Sequence, residues 1–346
     1  MVGKIAFLPG DGVGREVAGA ARKVLVAAAQ KYGVSLEFNE CVFGGAAIDE
    51  CGDPLPEQTK TVCLEADAVL LGAVGGPKWD GATIRPEQGL LGLRSALDVY
   101  ANLRPIQVAK GMEGFSPLKK EIATDVDLLI VRELTGGLYF GKREEGMDTA
   151  RDECLYTRAE VTRVARIAFE AARKRDGRVT SVDKANVLAT SRLWRNAVNE
   201  LHEKDYADVK LDHMLVDAMS MKLIQAPSSF DVVLTENLFG DILSDEASVL
   251  SGSIGLAPSA SLGDGRRGLY EPIHGSAPDI AGQGKANPVG MLLSAAMMMR
   301  FSLDQAEIAS CIENAISRAL AAGRGTGDIG GKDSCMSLTD YICETL

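Results

Sequence analysis

Lys4-Ile5-Ala6-Phe7-Leu8-Pro9-Gly10-Asp11-Gly12-Val13-Gly14-Arg15 is a short apolar run that breaks into a glycine-rich turn. An Ala-rich amphipathic stretch, Glu16 to Tyr32, follows at once. Strand, glycine turn and helix in that order resemble the opening of a dinucleotide-binding βαβ unit. The third glycine of GxGxxG should occupy position 15, and Arg15 stands there. The close helix–strand packing which that glycine permits is then not available in that form. As a dinucleotide-binding signal the stretch is therefore weak, and it reads better as a tight strand-to-helix turn.

The rest of the chain keeps the same alternation. Apolar runs at Ala68 to Leu71, Leu128 to Arg132, Arg178 to Val182, Leu211 to Val216 and Val232 to Thr235 read as strands. Helical periodicity covers Glu160 to Lys174, Thr190 to Lys204, Leu238 to Leu250, Val289 to Phe301 and Gln305 to Ala322. Strands and helices in alternation predict a largely parallel sheet. The Gly-rich stretch Glu133 to Gly146, with Tyr139, Phe140 and Tyr156 near it, fits no helical pattern and is compatible with a hairpin arm.

With 346 residues the chain is long enough for two domains, each with its own core. Its net charge of -11 makes nucleic acid and anionic membrane poor partners. An anionic small substrate would need a local basic pocket. The seven cysteines are scattered, with no CxxC pair, which argues for free thiols in the cytosol and against a disulfide framework or zinc site. The longest apolar stretch, Met291 to Met299, falls short of the ~20 residues that span a bilayer, and Lys4 to Leu8 is a strand and not a signal peptide.

Four groups of residues carry candidate chemistry. Asp241 and Asp245 lie one turn apart in FGDILSDEASVL, so they share a helix face, and Asp217 follows a separate strand. Such aspartates suit Mg²⁺ or Mn²⁺; the same spacing also suits helix caps and surface ion pairs. Arg94, Arg104 and Arg132 could grip carboxylates, and Arg132 ends an apolar strand, where a solvated charge is not expected. Lys184 and Tyr139 are candidate proton carriers, although each alone is more readily structural. Finally, the loop Glu271 to Pro288 is rich in Gly, Pro and Ala and carries His274, Asp279 and Asn287. It could approach phosphates through its backbone, and Asp279 would accept bonds from a ribose 2′-hydroxyl, which favours NAD over NADP.

These segments resemble the isocitrate/isopropylmalate family of β-decarboxylating dehydrogenases, and within it the isopropylmalate branch. The likeness runs through LPGDGVGREV, FGGAAID, LLGAVGGPKWD, RPEQGLLGLR, ANLRP, VRELTGGLYFG, SVDKANVL, FGDILSDEASVL and HGSAPDIAGQGKANP. It implies a two-domain α/β fold with a shared extended sheet, not a Rossmann fold. Residues 1–99 with 253–346 would form a discontinuous, cofactor-binding first domain. Residues 100–252 would form the second, with metal and substrate groups and the dimer interface, and with an arm near 133–156 that interlocks in a homodimer. The implied reaction is NAD-dependent oxidative decarboxylation of 3-isopropylmalate, in leucine synthesis. By the same resemblance Arg94, Arg104 and Arg132 would hold the substrate carboxylates, and Asp217, Asp241 and Asp245 would hold Mg²⁺ or Mn²⁺. Lys184 would take the hydroxyl proton and Tyr139 would protonate the enol. Gly75, Gly76, Glu87, Asn237 and Glu271 would lie near the nicotinamide end of NAD. His274, Gly275, Ser276, Ala277, Pro278, Asp279, Ile280 and Asn287 would hold the adenosine. Leu90 and Leu91, with Val187 of the partner subunit, would receive the isopropyl group. Lys184 and Asp217 of one subunit would complete the site of the other.

Three other readings stay open on sequence alone: a relative acting on isocitrate, homoisocitrate or tartrate; a non-catalytic subunit of the same fold; and a metal-dependent phosphoryl-transfer enzyme. The second would be expected to lose Tyr139, Lys184 or the aspartates, which are all here. The third would be expected to carry a GxxxxGK[ST] loop, which is not.

Overall fold

The computed structural model describes residues 2–108 and 112–346. They form two compact units. One is built from residues 2–99, 112–115 and 251–346, and the other from 100–108 and 116–250.

In the first unit five strands lie in the order Ser35–Glu40, Val2–Gly10, Ala68–Ala73, Gly268–Pro272, Pro258–Leu262. All neighbours are parallel except the last two, which form an antiparallel pair with Ser259 opposite Glu271. The central strands are buried almost throughout, as expected of a sheet covered on both faces. The helix Gly14–Lys31 packs on this sheet and on neighbouring helices and buries Val17, Ala18, Ala21, Val24, Leu25 and Ala28, with the alanines allowing close approach. The helix Val289–Phe301 is apolar on nearly every side and is accordingly buried on nearly every side.

The glycine turn has a steric reason. Gly10 has φ 70°, and a Cβ there would sit 2.0 Å from the Ala73 carbonyl oxygen. Gly12 has φ 54°, and a Cβ there would sit 2.1 Å from the Ser276 carbonyl oxygen. The glycines therefore let the chain turn between two other backbone segments, as a tight turn requires.

In the second unit the order is Ala101–Gln107, Asp127–Glu133, Val232–Thr235, Arg178–Asp183, Lys210–Leu215. The first pair is antiparallel and the others are parallel. The core gathers Ile106, Leu128, Ile130, Val182, Leu223, Val233 and Leu243. The helix Arg158–Arg173 shows why this sequence folds so. Thr157 and Glu160 form a capping box, and Val161, Val164, Ala165, Ala168, Phe169 and Ala172 make one buried stripe. The parallel register brings Arg132, Val182 and Thr235 level, so Arg132, Lys184 and Asn237 all emerge at one end of these strands. That end is where open α/β sheets bind ligands.

Several elements differ from expectation. Val216 does not end a strand but opens the helix Val216–Gln225, so Asp217 sits in a helical first turn. The helix Pro86–Leu97 and the strands Ser35–Glu40, Ala101–Gln107, Pro258–Leu262 and Gly268–Pro272 also join the fold. The stretch after Tyr139 is a hairpin, Arg143–Glu145 against Ala150–Asp152, with every residue of both strands exposed. No helix of the described residues is long and apolar enough to cross a membrane.

Candidate active site

The second unit carries an arginine–carboxylate cluster. Arg132 is the penultimate residue of its strand and 2% exposed, and its Nη1 donates to Asp241 on the helix Asn237–Ser248. Arg104, also buried, donates to Asp245 Oδ1 at 3.2 Å and to Ser244 Oγ at 2.6 Å. Its Nε donates to Asn102 Oδ1 at 2.6 Å. Tyr139 donates its hydroxyl to Asp241 Oδ2 at 2.7 Å, with the Arg132 guanidinium over its ring. Burial and then the Asp241 bond push the Tyr139 hydroxyl up to about 12. Burial also raises the Asp245 carboxyl; Arg104 opposes this and Asp241 adds to it. Asp241 and Asp245 thus share one helix face, as the spacing predicts, and two buried arginines compensate their charge.

A second cluster lies elsewhere on the same unit. Lys184 Nζ donates to Asp217 Oδ1 at 2.5 Å, and that bond holds Asp217 below the usual carboxylate range. Asp183, just before Lys184, is buried, accepts two bonds from Arg195 and one from the Ala185 backbone, and so fixes the turn. Among the described residues no three His, Cys, Asp or Glu side chains gather as a metal site. Within one chain, therefore, Asp217 does not join Asp241 and Asp245, and Lys184 lies beside a carboxylate and not among the arginines.

Within the first unit, the helix Pro86–Leu97 carries Glu87, Leu90, Leu91 and Arg94 at i, i+3, i+4 and i+7 on one face. Leu90 also packs on the unit's core, and Leu91 is half-buried. Arg94 is buried and ion-paired with Glu271 at 2.7 Å. Glu271 is therefore committed to an arginine at the place where the resemblance puts nicotinamide. Glu87 is exposed, next to Gly75. Gly75 and Gly76 have φ 99° and 154°.

In the loop after Glu271, Asp279 is exposed, Ile280 and Pro278 flank it, and a Cβ on Gly275 would meet nothing within 4 Å. Ser276 is buried and its carbonyl accepts from Val13. Ala277 has φ 38°. His274 Nδ1 lies 2.9 Å from its neighbour's carbonyl oxygen, and its Nε2 is buried with no partner. Burial lowers the pKa of this imidazole. Val187 is an exposed apolar side chain, 62% accessible.

Two residues expected at the cofactor are engaged otherwise. Asn287 donates to Asp328 and accepts from the Val289 backbone, which anchors the start of the helix Val289–Phe301. Asn237 is 0% exposed and holds Arg132. Sequence reasoning missed Asp11, which accepts from the backbone of Gly45, Ala46 and Gly75. It also missed Tyr156 and Glu236, which are hydrogen-bonded to each other. Asn102 could have been found, because it lies two residues before Arg104 on one strand and so shares its face.

Buried strand arginines beside helix carboxylates, with a phenol on one of them, suit an α/β enzyme for anionic small molecules. The sequence profile of the Isocitrate/isopropylmalate dehydrogenase family matches residues 4–342. The chain is 54% identical to the 3-isopropylmalate dehydrogenase of Bacillus licheniformis, over 96% of this chain and 92% of that protein. To that of Bacillus subtilis it is 52% identical, over 99% of this chain and 95% of that one. Among solved structures, the isocitrate dehydrogenase of Methylococcus capsulatus superposes with a TM-score of 0.89 at 35% identity, covering 99% of both chains. The chain belongs to the isocitrate/isopropylmalate dehydrogenase family.

The residues fit the groups that this family implies. Asp241 and Asp245 are hard oxygen donors one turn apart, suited to supply two ligands of a divalent cation. The orphaned His274 Nε2, the open Gly275 backbone and the exposed Asp279 carboxylate suit an adenosine with free 2′- and 3′-hydroxyls.

Proposed function

We propose that this chain is an oxidoreductase that oxidises and decarboxylates 3-isopropylmalate to 4-methyl-2-oxopentanoate with NAD, in leucine synthesis. The observation that carries this is identity above half, over nearly the whole chain, with relatives named for that substrate. The helix face of Leu90 and Leu91 supports it. An isocitrate enzyme needs a polar partner for a third carboxylate, and burying one unpaired among leucines is costly. Burying the isopropyl carbons there is favourable by about 2 kcal/mol.

In this reading Arg94, Arg104 and Arg132 hold the two carboxylates and fix the hydroxyl-bearing carbon. Asp241 and Asp245, with Asp217 of a second copy, hold Mg²⁺ or Mn²⁺. NAD supplies the hydride acceptor, and the cation supplies positive charge where the oxygen becomes a ketone. Lys184 removes the hydroxyl proton, its position fixed by the Asp183–Arg195 pair. Loss of CO₂ leaves an enolate, and the Tyr139 hydroxyl donates a proton to its carbon to give the ketone. Gly75, Gly76 and Glu87 line the nicotinamide end, and the loop 274–280 holds the adenosine.

The working form is a homodimer. Its support is the exposed apolar set Met221, Ile224, Ile242 and Val249 on or just after two adjacent helices of the second unit. Seven free cysteines and no membrane-crossing helix among the described residues suit a reducing cytoplasm.

The deciding assay is NADH formation from 3-isopropylmalate and from isocitrate, each with and without Mg²⁺. Mg²⁺-dependent turnover with 3-isopropylmalate, and at least a hundredfold lower kcat/KM with isocitrate, is expected. Comparable values for the two acids would overturn the substrate assignment.

A further inference from the structure

We infer that Asn237 is a positioning residue for Arg132, and that a buried Tyr156–Glu236–Asn237 assembly fixes the plane in which that guanidinium meets the substrate. The inference rests on the function proposed above and assigns Asn237 to the substrate side, away from nicotinamide.

The geometry is closed. Asn237 Oδ1 accepts from Arg132 Nη2 at 2.7 Å and from Nε at 3.1 Å. Its Nδ2 donates to the Gly136 carbonyl at 3.0 Å. A guanidinium only donates and a carbonyl only accepts, so just one orientation of the carboxamide satisfies both. The Asn237 backbone N–H donates to the Tyr156 hydroxyl at 3.0 Å, and that hydroxyl donates to Glu236 Oε2 at 3.1 Å. Glu236 Oε1 accepts from the Phe239 backbone at 2.8 Å and so caps the helix that carries Asp241 and Asp245. Arg132 and Asp241 are thus referred to one frame.

Two glycines make room for it. A Cβ on Gly136 would lie 2.7 Å from the Tyr156 ring, and one on Gly240 would lie 2.6 Å from Arg132 Cγ. With no side-chain atom of Asn237 exposed and both polar atoms engaged, it offers nothing to a cofactor.

The choice of amide over carboxylate has a physical consequence. An aspartate would fit the same space and keep both Arg132 donors, but would lose the bond to the Gly136 carbonyl, set an oxygen against it, and cancel the charge of Arg132. A neutral acceptor orients the guanidinium and leaves its charge for Asp241 and the incoming carboxylate.

The test uses Asn237→Asp, Asn237→Ala and Tyr156→Phe in the full-length protein, alone and in an Arg132→Gln background. Calorimetry gives the Kd of 3-isopropylmalate, and of isocitrate, with Mg²⁺ and without NAD. Kinetics give KM for NAD. Asn237→Asp should weaken acid binding at least tenfold and change KM for NAD less than twofold. Asn237→Ala and Tyr156→Phe should weaken acid binding severalfold, and either carries the test if Asn237→Asp fails to fold. In the Arg132→Gln background all three effects should largely vanish, which a merely structural role would not produce. Raised KM for NAD with unchanged acid binding, or equal effects in both backgrounds, would overturn the inference. If wild type binds isocitrate and not 3-isopropylmalate, the substrate assignment fails, and the role of Asn237 is scored on isocitrate.

Discussion

Asp11 sits in the turn that imitates a dinucleotide fingerprint, and the structure gives it another task. It is 5% exposed and has no ion-pair partner among the described residues. Its Oδ2 accepts from Gly45 N at 2.8 Å and Gly75 N at 2.9 Å, and its Oδ1 accepts from Ala46 N at 2.8 Å. One carboxylate thereby ties the end of the first strand to the start of the helix Gly45–Cys51 and to the Gly75 turn.

Replacing Asp11 has a calculable cost. Hydrogen bonds to a charged group contribute about 1.5–3 kcal/mol each, and an orphaned buried N–H costs about 1–3 kcal/mol. Asp11→Asn keeps an oxygen at the Oδ2 position but turns an NH₂ toward the Ala46 N–H. One bond becomes a donor–donor clash, at about 2–3 kcal/mol. Asp11→Ala loses all three, at about 3–6 kcal/mol after water reaches the less buried Ala46 amide. At about 2–4 °C per kcal/mol for a unit of this size, Asn should lower Tm by roughly 4–12 °C and Ala by more. Scanning calorimetry measures both. Because the Gly75 turn lines the proposed nicotinamide end, KM for NAD should rise severalfold in Asp11→Asn while KM for the acid holds. A Tm within about 1 °C of wild type for Asp11→Ala would refute the account of three unsatisfied donors.

Four further outcomes are expected. Asp279→Lys with Ile280→Tyr should shift preference from NAD toward NADP; equal use of both by wild type would show that Asp279 does not read the ribose. Asp241→Ala should lower kcat at least a thousandfold, and exhaustive chelation should abolish turnover until Mg²⁺ or Mn²⁺ is restored. Burial pushes the thiols of Cys63 and Cys335 up to about 12, so only ~10⁻⁴ is thiolate at pH 8. Mass spectrometry should find both unalkylated in folded protein while exposed Cys51 reacts. Co-refolding inactive Lys184→Met with inactive Arg132→Ala dimers should return roughly a quarter of wild-type activity, since about half the dimers are mixed and each has one intact site; inactive, verified heterodimers would exclude a shared site.

The sequence carried the fold where its periodicity was strong. The helix Val289–Phe301 and the strand Val232–Thr235 have the bounds that their apolar runs predict. The helix Pro86–Leu97 was illegible because Gly89 and Gly92 depress helix propensity. The reason for Gly89 is tertiary: a Cβ there would lie 2.8 Å from the Pro54 carbonyl oxygen. The strand Ser35–Glu40 mixes charged and apolar residues as the outermost strand of its sheet, and the pair 258–272 opens and closes on proline. Such strands are specified by their neighbours more than by their own pattern.

The site divides along similar lines. Arg132, Asp241 and Asp245 were legible because a charge at the end of an apolar strand, or two on one helix face, is visible locally. Tyr156 and Glu236 lie 80 residues apart, and no local pattern links them. More informative still is how the charges are paired. Lys184 meets Asp217, while Arg104 and Arg132 meet Asp245 and Asp241. Each cluster is nearly neutral by itself, and each lacks what the other holds: one has a base and a single carboxylate, the other has two carboxylates, a phenol and the carboxylate-binding arginines. A reaction that needs all of them requires the two sets to meet. Within one chain the third carboxylate does not join the other two. In a twofold dimer each chain both gives and receives the same patch, so one contact between the Lys184 set and the Asp241 set would complete two sites at once. Exposed Val187, three residues after Lys184, would then travel with the base into the partner's site. On that reading Val187, exposed in a single chain, is covered in the dimer.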